Sequence, residues 1–66
     1  MTVYAGILHD SYTNEKGKEV PYTDKIIGCL KGNIFKCVSI PDMMSFDMSK
    51  KEFLAKVTDI KELWSK

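Results

Sequence analysis

Sixty-six residues, 44% of them hydrophobic and 11% aromatic, suffice for one small folded domain and are too apolar for a disordered chain. Ten basic against nine acidic residues leave a net charge of +1, which excludes the strong field that holds or steers a polyanion. With two cysteines, no charged-then-apolar leader after Met1 and no apolar run near the ~18 residues of a membrane span, the expectation is a complete, soluble small protein of a reducing cytoplasm, off the membrane.

Thr2–Thr13, TVYAGILHDSYT, is dense in Val, Ile, Thr and Tyr and reads as a strand. NEKG comes next, with Asn14 suited to open a type I turn and Gly17 free to take the positive φ that returns the chain. A hairpin results. Its returning arm, KEVPYTDKIIGCLK, carries Pro21, which donates nothing to a ladder and marks an edge, a bulge or a bend. Gly32 and Asn33 then form a Gly-first two-residue turn between apolar flanks, the signal of a second hairpin. The rival over this region is a short helix from Thr23 or Asp24 to Lys31, stopped by Gly32. Gly28 in its middle and the β-branched pair Ile26 and Ile27 weigh against it.

Pro41 ends the third strand, and PDMMSFDM reads as a connecting loop. Ser49 followed three residues later by Glu52 is a capping box, so a helix starts there. Phe53, Val57, Ile60 and Trp64 fall on one helical stripe, widened by Leu54 and Leu63, and Glu52 is spaced to pair with Lys56. The predicted fold is α+β: a three-stranded antiparallel meander in chain order, followed by one C-terminal helix packed across one face.

The two turns set a register. The second hairpin places Leu30 opposite Phe35, Gly28 opposite Cys37 and Ile26 opposite Ser39. The first, closed tightly around Asn14–Gly17, places Ala5 beside Ile26 and Val3 beside Gly28. Period-two alternation then collects Val3, Ala5, Ile7, Ile26, Leu30, Phe35 and Cys37 on the face that the helix covers. The opposite face receives Tyr4, Leu8, Tyr12, Ile27, Cys29, Ile34, Val38 and Ile40, interrupted by Lys25, Lys31 and Lys36. An antiparallel sheet wetted on its second side normally alternates apolar with polar, and this one does not. A contiguous apolar area with a lysine rim is the mark of an association site. The predicted partner-binding set is Tyr4, Leu8, Tyr12, Ile27, Ile34, Lys36, Val38 and Ile40, and the partner another protein or a second copy. The bland alternative is that lysine stems and the Asp42–Met48 loop cover the area themselves.

The residues that carry chemistry elsewhere are sparse here. Cys29 and Cys37 lack metal-ligand spacing and fall on opposite faces, which rules out a disulfide between them and leaves no metal or cofactor site. His9 stands next to Asp10, but neighbours on a strand point to opposite sides, so the pair makes no general acid–base site. GCLKG lacks the strand-loop-helix setting of a phosphate loop. The resulting expectation is a non-enzymatic protein-binding module, a small regulator or inhibitor whose size fits a phage or mobile-element product. Single-stranded nucleic acid, stacked on a Lys/Tyr sheet surface, is the alternative. Leu63 and Trp64 also resemble anchors of a docking helix, but the core role is favoured, because without that stripe the small sheet would have no cover.

Overall fold

The computed structural model describes residues 2–40 and 42–65. Its elements are β1 (Thr2–Thr13), β2 (Glu19–Lys31), β3 (Ile34–Ile40), β4 (Ser45–Ser49), α1 (Lys50–Lys56) and β5 (Val57–Ser65). All five strands belong to one antiparallel sheet in the order β4-β3-β2-β1-β5. The α+β class and the meander of the first three strands stand as expected. The strand count rises from three to five, and the C-terminal helix shrinks to two turns. Pro41, expected to end the third strand, lies outside the described residues.

The β2–β3 hairpin has the expected register, with Leu30 opposite Phe35 and Gly28 opposite Cys37. The β1–β2 hairpin is one residue out. Asn14 and Lys18 close it: the Asn14 N–H donates to the Lys18 carbonyl at 2.8 Å, and Asn14 Oδ1 accepts from the Lys16 and Lys18 amides at 2.9 and 3.0 Å. Gly17, at φ +76°, belongs to the loop rather than to its closing pair. The loop therefore holds three residues, a common hairpin length with a left-handed glycine in the last position. One extra loop residue moves every β1 side chain to the other side of the sheet. Ala5 pairs with Ile27 instead of Ile26, and Val3 with Cys29 instead of Gly28.

Tyr4 and Leu8 accordingly join Ile26, Leu30, Phe35 and Cys37 on the inner face, while Val3, Ala5 and Ile7 turn outward. Phe46 and Met48 of β4 point inward as partners of Cys37 and Phe35. Their alternation with Ser45, Asp47 and Ser49 is the half-buried strand pattern, missed because Met43 and Met44 lead into it without alternating. Pro21 sits beyond Lys25, where β2 has lost its β3 neighbour and a missing donor costs no ladder bond on that side.

Ser49 caps α1 as expected, its Oγ accepting from the Glu52 amide at 3.1 Å. Lys56 Nζ stands 3.6 Å from a Glu52 oxygen, the anticipated i,i+4 pair, and 3.6 Å from Asp10 Oδ2. The helix ends at Lys56 because Val57–Ser65 serves better as a strand. Val57, Thr58 and Ile60 are β-branched, β1 would otherwise keep an unpaired edge, and this segment fills that edge from Leu8 back to Thr2. Asp59, at φ 54°, lies in the irregular stretch of that pairing between Ala5 and Ile7. Only Phe53 and Val57 of the expected helical stripe are buried, whereas Ile60, Leu63 and Trp64 remain 40–50% exposed on β5.

A flat five-stranded sheet would be ~19 Å across at ~4.8 Å per strand step. The seven residues of α1, which leads from the β4 edge to the β5 edge, span only ~10 Å. The sheet must therefore curl, and α1 plugs the hollow, touching β1, β3, β4 and β5. Phe53 fills it: 1% exposed, with its ring stacked on Phe35 at 3.8 Å between centroids and 8° between planes. Leu8, Ile26, Cys37, Met48 and Val57 complete the core, and Tyr4 meets Phe35 edge-on at 5.7 Å. Past Leu8 and Lys25 the first hairpin has no sheet neighbours among the described residues and runs on as a two-stranded arm, which helps make the molecule 46 Å long but 23 by 19 Å across.

Candidate functional site: the outer face of the sheet

Side chains of paired residues line up in rows across a sheet. On the outer face one row reads Trp64, Val3, Cys29, Lys36, Asp47, and the next Lys61, Ala5, Ile27, Val38, Ser45. Thr58, Ile7, Lys25 and Ile40 form a third, and Lys31, Ile34 and Ser49 close the face at its other end. The centre is apolar across four strands, with lysines around it. α1 lies on the other side of the sheet, and among the described residues no element covers this one.

Ile34 and Ile40 are 41% and 38% exposed, Trp64 is 50% exposed, and Val3, Ala5, Ile7, Ile27, Cys29 and Val38 are half-buried. Half-burial is what neighbours in the same layer give a side chain on an uncovered sheet. Covered residues on the inner face fall to a few per cent, as Ile26 and Phe35 do. The Asp42–Met48 segment does not fold back over the face, since β4 extends the sheet at its edge.

Of the residues expected to bind a partner, Ile27, Ile34, Lys36, Val38 and Ile40 come together here. Tyr4 and Leu8 do not: the one-residue change in register puts Leu8 in the core and Tyr4 against Phe35. Tyr12 lies on the arm, 6.0 Å from Tyr22 and on the inner side. Sequence reasoning left Val3, Ala5, Ile7 and Trp64 out of the site. A three-residue reading of the NEKG turn would have recovered the first three. Trp64 was singled out only as an anchor on a docking helix, because it sat on an apparent helical stripe, and the structure places it on β5 instead.

The charges divide between the faces. Lys25, Lys31, Lys36 and Lys61 border the outer apolar centre. Asp47 is the carboxylate within its rows, 3.4 Å from Lys36 in an exposed pair of little energetic weight. Asp10, Asp24 and Glu52 line a cleft of about 360 Å³ on the other side, together with Leu8, Phe46 and Met48, and Asp47 on the β4 edge borders it as well. There Lys56 bridges Asp10 and Glu52, so part of that acidity is already answered within the chain.

The thiols divide in the same way. Cys37 is 1% exposed, and its sulfur lies 3.7 Å from the Phe35 carbonyl. Burial, aided by the nearby Asp47 charge, pushes its pKa up to about 11, so it stays protonated and is a poor nucleophile. Cys29 faces outward, and both thiols are free. His9 is exposed, with Nε2 2.7 Å from Thr58 Oγ1. Its strand partner is Thr23, and Asp10 is directed to the other face.

No protein-family model matches the chain, and no curated protein or solved structure gives a significant match. Among the described residues no helix is long and apolar enough to cross a membrane.

Proposed function

We propose that this chain is a small non-enzymatic binding module, a regulator or inhibitor that acts by laying the outer face of its sheet on another protein chain. The observation that carries the reading is the band of Val3, Ala5, Ile7, Ile27 and Val38, uncovered among the described residues, on a molecule whose helix α1 is committed to the opposite face. A chain of this size has little surface to spare, and leaving so many β-branched side chains in water is explained by an occupant that removes them from it. Two cysteines held apart on opposite faces fit a reducing compartment such as the cytoplasm.

The nucleic-acid alternative loses its platform. Tyr4, Tyr12 and Tyr22 lie on the inner side, away from Lys25, Lys31 and Lys36, and Trp64 is the aromatic ring on the lysine-bearing face among the described residues. Val38→Lys, at the middle of the band, tests the docking reading against Tyr12→Ser on the arm. Both variants should fold. A protein retained from the native host by the wild type and by Tyr12→Ser, but lost with Val38→Lys and rebinding as a purified component, is the expected result. Equal retention by all three chains, or none by any, would sink the docking role.

A further inference from the structure

We infer that the occupant of the outer face is a different protein with an apolar patch edged by carboxylates, and not a second copy of this chain. This inference rests on the proposed docking role and names its partner chemistry. The apolar centre together with the four lysines set at its margins occupies four strands and four rows, ~20 Å by ~14 Å, or on the order of 300 Å² in projection. A standard stable interface takes ~800 Å² from each partner. Contact confined to the apolar centre falls short of that, so a stable complex must also take in the lysine rim.

The rim decides the partner. Lys25, Lys31 and Lys61 stand around the band without a facing carboxylate in their rows, and Asp47 offsets Lys36 alone. Two copies stacked face to face across a two-fold axis would bring the eight lysines of these paired rows against their two aspartates. Like charges at that density repel and are concentrated at the contact. A carboxylate-edged partner makes the same lysines attractive and speeds encounter. The two occupants therefore differ in the sign of their salt dependence. Screening weakens a complex with an acidic partner and strengthens a face-to-face homodimer.

The test uses a probe of matched shape: this chain with Lys25→Glu, Lys31→Glu and Lys61→Glu, which keeps the apolar band and reverses its border. Sedimentation and the fluorescence of Trp64, which lies within the face, track association of wild type alone, probe alone and an equimolar mixture. Expected is a 1:1 complex only in the mixture, weakened at least ~10-fold between ~0.05 and ~0.5 M salt and abolished by Val38→Lys in either member. A homodimer of wild type alone that tightens with salt overturns this inference and leaves sheet-face docking in place. A mixture whose affinity ignores salt also overturns the role of the lysines. A mixture that stays monomeric at low salt, with both chains folded by circular dichroism, overturns the docking role itself.

Discussion

The two faces of this sheet are built from nearly the same kinds of residue and meet opposite fates. The inner face has Leu8, Ile26, Phe35 and Cys37 under a lid. The outer face has Ile7, Ile27, Val38 and Cys29 under none. Composition alone does not distinguish them. What separates them is the position of one aromatic side chain: Phe53, carried by a two-turn helix, enters the hollow that the curled sheet leaves. The wider lesson concerns small sheets. Once curling lets a short element close one side, the remaining apolar surface is no longer needed for the fold and is free for binding.

The hardest way to break that contrast is to remove the plug. Phe53→Ala leaves a cavity under Phe35 and should cost ~3–5 kcal/mol, the range for deleting a buried aromatic ring. In a chain of 66 residues that is much of the total stability. Chemical denaturation with far-ultraviolet dichroism reads it, and a loss below ~1 kcal/mol would mean that α1 does not seal the inner face.

The thiols sharpen the comparison next. Under native conditions an aromatic disulfide reagent should modify Cys29 and spare Cys37 until the chain opens. The raised pKa of Cys37 also has a pH consequence. The unfolded thiol ionises near 9.0 while the folded one holds its proton to about 11. Stability is therefore unaffected below pH 9, falls as the pH rises through that window, and loses on the order of 2 kcal/mol by its upper end. Cys37→Ala should flatten this slope relative to wild type.

Neighbouring small residues of β1 give a smaller contrast. Gly6 faces inward, where an added Cβ would run into Val57 Cγ1 and come within 3.2 Å of the Thr58 carbonyl oxygen. Gly6→Ala must push β5 away from β1 and should cost ~1–3 kcal/mol as an overpacking change. Ala5→Val adds two carbons one residue away, but into the open space of the outer face. It should change stability by less than ~0.5 kcal/mol, with either sign. Equal effects at the two positions would mean that the faces are not packed differently.

How much of the fold was legible in the sequence depends on how local each signal is. The Ser49 cap, the Gly32–Asn33 hairpin and the β2–β3 register are set by residues within a few positions of one another, and they hold in the structure. The β1 face assignment depended on whether a loop had two residues or three, a difference that Asn14 decides through its side-chain bonds to Lys16 and Lys18. The fate of Val57–Ser65 was not local at all. Its apolar spacing suits a helix, and only the open edge of β1, 49 to 63 positions away in the chain, makes a strand the better use of it. The apolar second face was legible as a property of β2 and β3. Its β1 and β5 members were not, because they depend on those two outcomes.

One small stability effect bears most directly on function. Val38→Lys places a charge at the middle of the outer face, between Ile27 and Ser45. In a covered core such a change would bury an unpaired charge and unfold the chain. Here the Lys stem can lie along Ile27 and Ile40 while its ammonium stays in water, so the expected loss is under ~1 kcal/mol, within the span of strand propensities. A stability loss of several kcal/mol would show that the outer face is already sealed in the free protein, leaving nothing for a partner to cover. A near-neutral stability effect joined to complete loss of partner binding would assign the apolar band to recognition rather than to folding, because the same side chain would then matter only when a second surface is present.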